Sequence, residues 1–459
     1  MFKKCILSFI TISLIISGSV SFAEEKYPGI EISEKQIVNI DFSPLLLMAS
    51  LDGKHLAYVA KAENKQFVVV DGQEGKHYDG IGSNLIFSPD GKHVAYGAQA
   101  GKKQLVIIDG QEGKYYDSIG FNIIFSPDSW HVVYSAKREK ECFVVFDGQE
   151  GKHYNGIGTN LVFSPDGKHV AYGAQTGNKQ FVVIDGKEGK YYDGVGPSVV
   201  FSPDSKNVAY WAQSGNKRFL VINEKEEKQY DSIRPDFIFS PDSKHLAYIA
   251  QSGNKRFVVV DGQENKYYDF IGSTIVFSPD SNCLLYTALL ENKGFVIVDG
   301  KEGKHYDIIG STLIFSADSR HVAYTAQSGN KRFVVVDGKE GKQYDVIANG
   351  TLIFSPDGKH LAYGAQSGNK RFVVVDGKEE KQYDNVGSLV FSPDSKHMTY
   401  VAQSDNKQIV VIDGKEASQY DGIIIMGRER VVFDSFDKLH YLAIKGKSIY
   451  LIEINIKVN

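Results

Sequence analysis

From about residue 49 onward, short apolar runs alternate with polar turns, and no apolar stripe at helical spacing interrupts them. The clearest unit is Thr351–Asp384. Its Leu352–Phe354 and Arg371–Val375 are continuous runs of β-branched and aromatic residues, the pattern of strands covered on both faces. His360–Ala365 and Lys381–Asp384 read as two more strands, giving four per unit in the order A to D. The breaks between them are turn chemistry. Ser355-Pro356-Asp357-Gly358 sets Pro where a type I turn fixes φ and Gly at its exit. Gln366–Asn369 and Asp376–Glu379 are the other tight connections.

The unit recurs along the chain. The Phe that opens its first turn returns at Phe87, Phe125, Phe163, Phe201, Phe239, Phe277, Phe315, Phe354 and Phe391, with a step of 38 residues six times, then 39, then 37. Degenerate copies at Ala49–Tyr58 and Phe433–Leu442 bring the number of repeats to eleven. A fixed period of this size signals a solenoid, a propeller or an array. Four antiparallel strands per unit, each sheet needing a neighbour on either face, describe the blade of a β-propeller. The segment Phe354–Tyr363, FSPDGKHLAY, resembles the WD40-like repeat of the TolB type (PD40), and the resemblance recurs in register over most of the chain. It implies an all-β propeller. It says little about activity, because such repeats occur in binding scaffolds and as the non-catalytic half of some peptidases.

The ends carry their own signals. Residues 1–23 hold Lys3-Lys4, an apolar run and Ser21-Phe22-Ala23, the anatomy of a secretory signal peptide. Residues 24–35 read as a mobile polar leader, and 36–459 as the propeller. The last repeat offers three strands, Val431–Phe433, His440–Ile444 and Ser448–Ile454, while Gln36–Phe42 stands alone near the start. Residues 36–42 are therefore expected to supply the missing strand and close the ring. Constant spacing and this exchange favour one large ring over two smaller propellers.

Charge and cysteine content add exclusions. Without Lys3 and Lys4 the formal net charge moves from −4 to −6, so no global attraction to nucleic acid or an anionic membrane is expected. Cys142 and Cys283 fall four blades apart, too far to bridge in a ring. The reading is an exported protein, periplasmic or secreted, with a protein or glycan partner in the cell envelope or outside the cell and no membrane insertion after cleavage.

Candidate chemistry is sparse. His55, His93, His131, His169, His245, His321, His360 and His397 all open strand B, one per blade. Metal ligands must converge, whereas equivalent ring positions point apart. Each His is expected to bond within its blade, to the Asp closing strand D (Asp79, Asp117, Asp193, Asp269, Asp345). The Asp-Gly-x-Glu turns lack the alternating ligands of a calcium loop, and no nucleophile elbow or His-Glu-x-x-His occurs. No cofactor, metal or catalytic residue is assigned.

Departures from the repeat consensus are more telling. Lys217-Arg218, Lys255-Arg256, Lys331-Arg332 and Lys370-Arg371 close the B–C loop where earlier blades carry Lys103-Gln104 and Lys179-Gln180. Guanidinium groups suit carboxylate or phosphate; the plainer alternative is a solvated rim. In the fifth blade Trp211 replaces the Gly of Gly97, Gly173 or Gly364, Asn223-Glu224 replaces Asp-Gly, and Arg234-Pro235-Asp236 replaces Gly-Ser-Thr. Trp211, Arg218, Arg234, Asp236 and Arg256 are the candidate ligand-binding residues, an aromatic platform beside guanidiniums on the loop face. Drift in a duplicated array is the alternative. Two other functional classes stay open: a lyase or hydrolase acting on an anionic polymer at the ring centre, and a structural spacer without a ligand.

Overall fold

The computed structural model describes residues 29–39, 45–426 and 429–457. Its regular elements are all strands, and they form eleven antiparallel sheets, each one blade of a single closed ring. Blade 2 is representative, with A at Gly80–Phe87, B at Val94–Ala100, C at Lys103–Ile108 and D at Gln111–Glu112. Strands A of successive blades touch one another, which sets A toward the axis and D at the perimeter.

Strand D is shorter and earlier than the sequence pattern suggests. Asp109 and Gly110 both take positive φ (50° and 76°), and the register closes around them as a two-residue hairpin. D then bends away after Glu112 and rejoins C at one bridge, Tyr116 to Gln104. In the unit at 351 the D pairing is accordingly Lys378–Glu379, with Tyr383 bridging Arg371. The Gly- and Ser-rich stretch that follows, which resembles a loop in sequence, belongs to strand A of the next blade. Gly80–Ile81 and Leu85–Phe87 both pair with strand B, across a bulge.

Blades are cemented through their core, at the perimeter and on both faces. Apolar clusters span neighbouring sheets, as where Ala95 and Val106 of blade 2 pack with Tyr116, Ile123, Tyr134 and Phe143. At the perimeter, Lys76 and Tyr78 converge on Glu112 of the next blade at 2.7 and 2.9 Å, and Lys266 and Tyr268 repeat this on Glu302. On the face of the A–B turns, Ser88 Oγ donates to Asp90 and accepts from the His93 N–H. The Asp90 N–H then donates to Ser129 of blade 3, which holds φ 68°.

The histidines bond within their own blades, but to a different partner from the one expected. Nδ1 of His93 meets Asp109 of the Asp-Gly hairpin at 2.7 Å, and His55, His131, His169, His245, His321, His360 and His397 repeat the contact. The aspartates after strand D lie on the opposite face. Asp79 there takes Lys65 Nζ and the Gly101 N–H, both at 2.6 Å, tying one blade to the B–C turn of the next. Blade 5 replaces both members of the His–Asp pair at once: Asn223 Nδ2 donates to Asn207 Oδ1 at 2.7 Å. The Asn223 departure is thus structural compensation.

The ring closes by the expected exchange, with a shifted boundary. Ile30–Asn39 pairs antiparallel with Ser448–Ile456 and takes the D position of blade 11. Residues 30–35, expected in the leader, are part of that strand because Ile30 and Ile32 alternate into the core of blade 11. At the seam, Ala49 and Leu56 of blade 1 share a cluster with Leu439 and Ile449 of blade 11. A Cβ added to Gly53 of blade 1 would fall 2.7 Å from His440 Nε2. Residues 1–23 lie outside the described residues. Cys142 and Cys283 are free thiols.

Candidate binding face

The B–C turns and the D-to-A connections share one face, and the residue after the strand-C Lys controls what that face presents. Where it is Gln, the side chain is spent inside the ring. Gln66, Gln104, Gln180 and Gln408 accept from the N–H of Ile81, Ile119, Val195 and Ile423 at 2.7–3.0 Å, stapling strand A of the next blade. Arginine has no acceptor and cannot make that bond. Arg218 lies over the Trp211 ring and Arg256 over the Phe270 ring, each 4.7 Å from the centroid. Arg332 Nε donates to Gln327 at 3.2 Å, and Arg371 donates to Gln366 and Asn385.

The neighbouring lysines are all committed. Lys217, Lys255, Lys331 and Lys370 pair with Asp231, Asp269, Asp345 and Asp384. The ammonium and a backbone N–H hold each of these carboxyls below the ordinary range. None of the four arginine guanidiniums has an ion-pair partner among the described residues.

The five sequence-derived candidates fall on two successive blades, Trp211 with Arg218 on blade 5 and Arg234, Asp236 and Arg256 on blade 6. Trp211 is half-buried between Arg218 and strand A of its own blade; a Cβ on Gly196 would lie 2.3 Å from its Nε1. That nitrogen is buried and has no acceptor, so the ring is packed into the blade and offers no open platform. Arg234 and Asp236 sit together on the bulge of strand A in blade 6, 3.3 Å apart. Arg256 pairs with Phe270, which no sequence argument had singled out.

Phe270 leads to the feature that sequence reading missed. A groove of about 660 Å³ runs over blades 6 to 8, lined by Arg234, Phe270, Thr287, Leu289, Asn292, Gly294 and Ile308. Phe270 and Ile308 stand where earlier blades carry Gly or Ser, and they are 39% and 51% exposed. Gly294 stands where blades 1, 2, 4 and 10 carry Gln, blades 5, 6, 8 and 9 carry Arg and blade 3 carries Cys142, so the volume of a side chain is left open. A smaller hollow of about 220 Å³ continues from Ile308 to Arg332. The signal was present in sequence, as Ala288–Phe295 reads ALLENKGF against AQSGNKRF in the neighbouring blades.

No protein-family model and no curated protein matches the sequence. Solved structures with a similar arrangement include ones described as propellers. One described as a eukaryotic initiation factor is 14% identical with a TM-score of 0.41, over 72% of this chain and 96% of that one. TolB from Acinetobacter baumannii is 13% identical with a TM-score of 0.26, over 54% and 78%. The propeller domain of the Trilobed protease from Pyrococcus furiosus is 13% identical with a TM-score of 0.30, over 60% and 99%.

Proposed function

We propose that this chain is an exported, non-enzymatic β-propeller of TolB-type WD40-like repeats that binds a protein partner on its loop face. The observation that carries the reading is the groove at Gly294. On a rim otherwise built from Lys–Asp pairs and solvated turns, it gathers exposed Phe270 and Ile308 beside Arg256 and Arg332, whose guanidiniums rest on a ring and an amide and have no carboxylate partner among the described residues. Exposed apolar side chains in a concave site are characteristic of interaction surfaces. A glycan fits less well, because the aromatic faces a sugar would stack on are those over which Arg218 and Arg256 lie. Catalysis at the ring centre finds little support: strand A carries Gly, Ser, Thr and Asn toward the loop face, and the histidines sit at the opposite face on their own aspartates. Export rests on the signal pattern of residues 1–23.

The test is affinity capture from envelope extract with the mature chain and its Gly294→Gln variant. A partner held by the first and lost by the second supports a binding module with its site in the groove. A partner held equally by both overturns the site, and no partner under either condition favours the spacer.

A further inference from the structure

Resting on that binding reading, we propose that the occupant of the groove is an acidic peptide segment of the partner. An aliphatic side chain seats between Phe270, Leu289 and Ile308, and flanking carboxylates meet Arg256 on one side and Arg332 on the other. Charge and shape both point this way. Blades 5, 6, 8 and 9 each present a guanidinium with no carboxylate partner among the described residues, while the adjacent lysines are neutralised. Blade 7, between them, presents no charge at the same position: Gly294 leaves a hollow there with Phe270, Leu289 and Ile308 on its wall, and the one carboxylate in its lining, Asp307, is neutralised by Lys293.

That order, cation then apolar hollow then cation, discriminates between anionic ligands. A uniformly charged polymer would hold a charge over Leu289 and Ile308 and leave Phe270 without an apolar contact, a costly desolvation. A peptide can place a leucine between glutamates and satisfy every position. Arg256 and Arg332 offer forked donors matched to carboxylate geometry, and Arg332 is exposed at the end of the continuing hollow.

The chain itself supplies conservative variants for the test. Gln at 294, 256 or 332 is the residue that blades 1, 2, 4 and 10 use at the equivalent place, where it bonds the next blade. A fluorescein-labelled peptide with one central leucine flanked by glutamates is titrated by polarisation into the mature protein, into Gly294→Gln and into Arg256→Gln/Arg332→Gln. Affinity is expected to fall about tenfold in each variant, and to fall with added salt for the wild type. Serine in place of the leucine should weaken binding about fivefold or more. Equal binding to wild type and both variants, equal binding of a lysine-flanked peptide, or tighter and leucine-independent binding of a heparin oligosaccharide would each overturn the inference. If a captured partner depends on Gly294 while the glutamate peptide does not bind, the peptide chemistry fails and the binding function stands. If neither binds, both fail.

Discussion

Tyr420 donates its hydroxyl to Glu34 at 2.6 Å, joining side chains 386 residues apart in sequence. It is the same bond that Tyr78 makes to Glu112, Tyr192 to Glu226 and Tyr383 to Glu416, each from one blade to the next. In the last blade the glutamate comes from the N-terminal strand. Lys445, at the end of strand B in the same blade, approaches Glu34 at 3.7 Å from the place that Arg138 holds toward Glu150. Burial, with the neighbouring Tyr441 and Glu34, drives the Tyr420 hydroxyl far above the usual phenol range.

Removing that hydroxyl should be felt by the whole ring. Tyr420→Phe leaves packing in place and is expected to cost about 1 kcal/mol. Tyr115→Phe, at a tyrosine 46% exposed, is the control and should cost almost nothing. Urea midpoints of the two variants settle the comparison, and equal midpoints would mean that the seam bond adds nothing.

Gly294→Gln should leave stability unchanged or raise it by up to about 1 kcal/mol, because the new amide can accept from the Ile309 N–H as Gln66 does from Ile81. Space is tight but present: a Cβ at 294 would lie 3.2 Å from Ile309 Cγ1 and 3.4 Å from its nitrogen. A thermal midpoint several degrees below wild type would show that blade 7 does not accept the staple.

Trp211→Gly is expected to destabilise by about 2 kcal/mol, since the ring is half-buried against the Tyr230, Ile233 and Phe237 cluster and Gly weakens a strand. Arg218→Gln removes the overlying cation yet restores the consensus residue, and should sit near wild type. Calorimetry of both variants separates packing from surface charge. A neutral Trp211→Gly would mean the ring contributes little to the blade.

Acid should open the perimeter. Arg138 forks onto Glu150 with two bonds of 2.9 Å and holds its carboxyl down at about 2, below the 4.5 of a free glutamate. Lysine and tyrosine donors lower Glu112, Glu226, Glu264, Glu302 and Glu416 in the same direction. A depressed carboxyl stabilises the fold above pH 4.5 and loses that contribution as pH falls toward about 2. Stability should therefore be level near neutrality and decline through this window. Glu150→Gln should flatten the decline, and an unchanged slope would remove the Arg138 pair as a cause.

The repeat, its four strands and the terminal exchange were legible because they rest on local signals: a constant period, Pro and Gly at turns, and one strand missing where another is spare. What escaped was decided by pairing and packing between strands, within a blade as well as between blades. The stretch around Gly82 and Ser83 looks like a turn by composition, yet it is a bulge inside a strand, because Gly80–Ile81 before it and Leu85–Phe87 after it both pair with the B strand. Asp109 and Asp117 are indistinguishable partners for His93 from spacing alone; the hairpin at Asp109 puts that carboxylate on the histidine's face. Trp211 looked like a platform because nothing in sequence shows that Gly196 leaves room for its ring to lie down. The groove needed Phe270, Gly294 and Ile308 to be seen together, and they come from three different strands of two neighbouring blades.

The N-terminal strand gives the ring a timetable. Ile30–Asn39 is made before the eleven sheets' other strands, and its ladder partner among the described residues, Ser448–Ile456, is made after them. A chain interrupted before Ser448 can stack ten blades but must leave both the first and the last of them with a bare flank. Unfinished product therefore differs from finished product in kind, by sticky apolar sides and unpaired backbone open to proteases and chaperones. The ring carries its own proof of closure in the joint between its first and last strands.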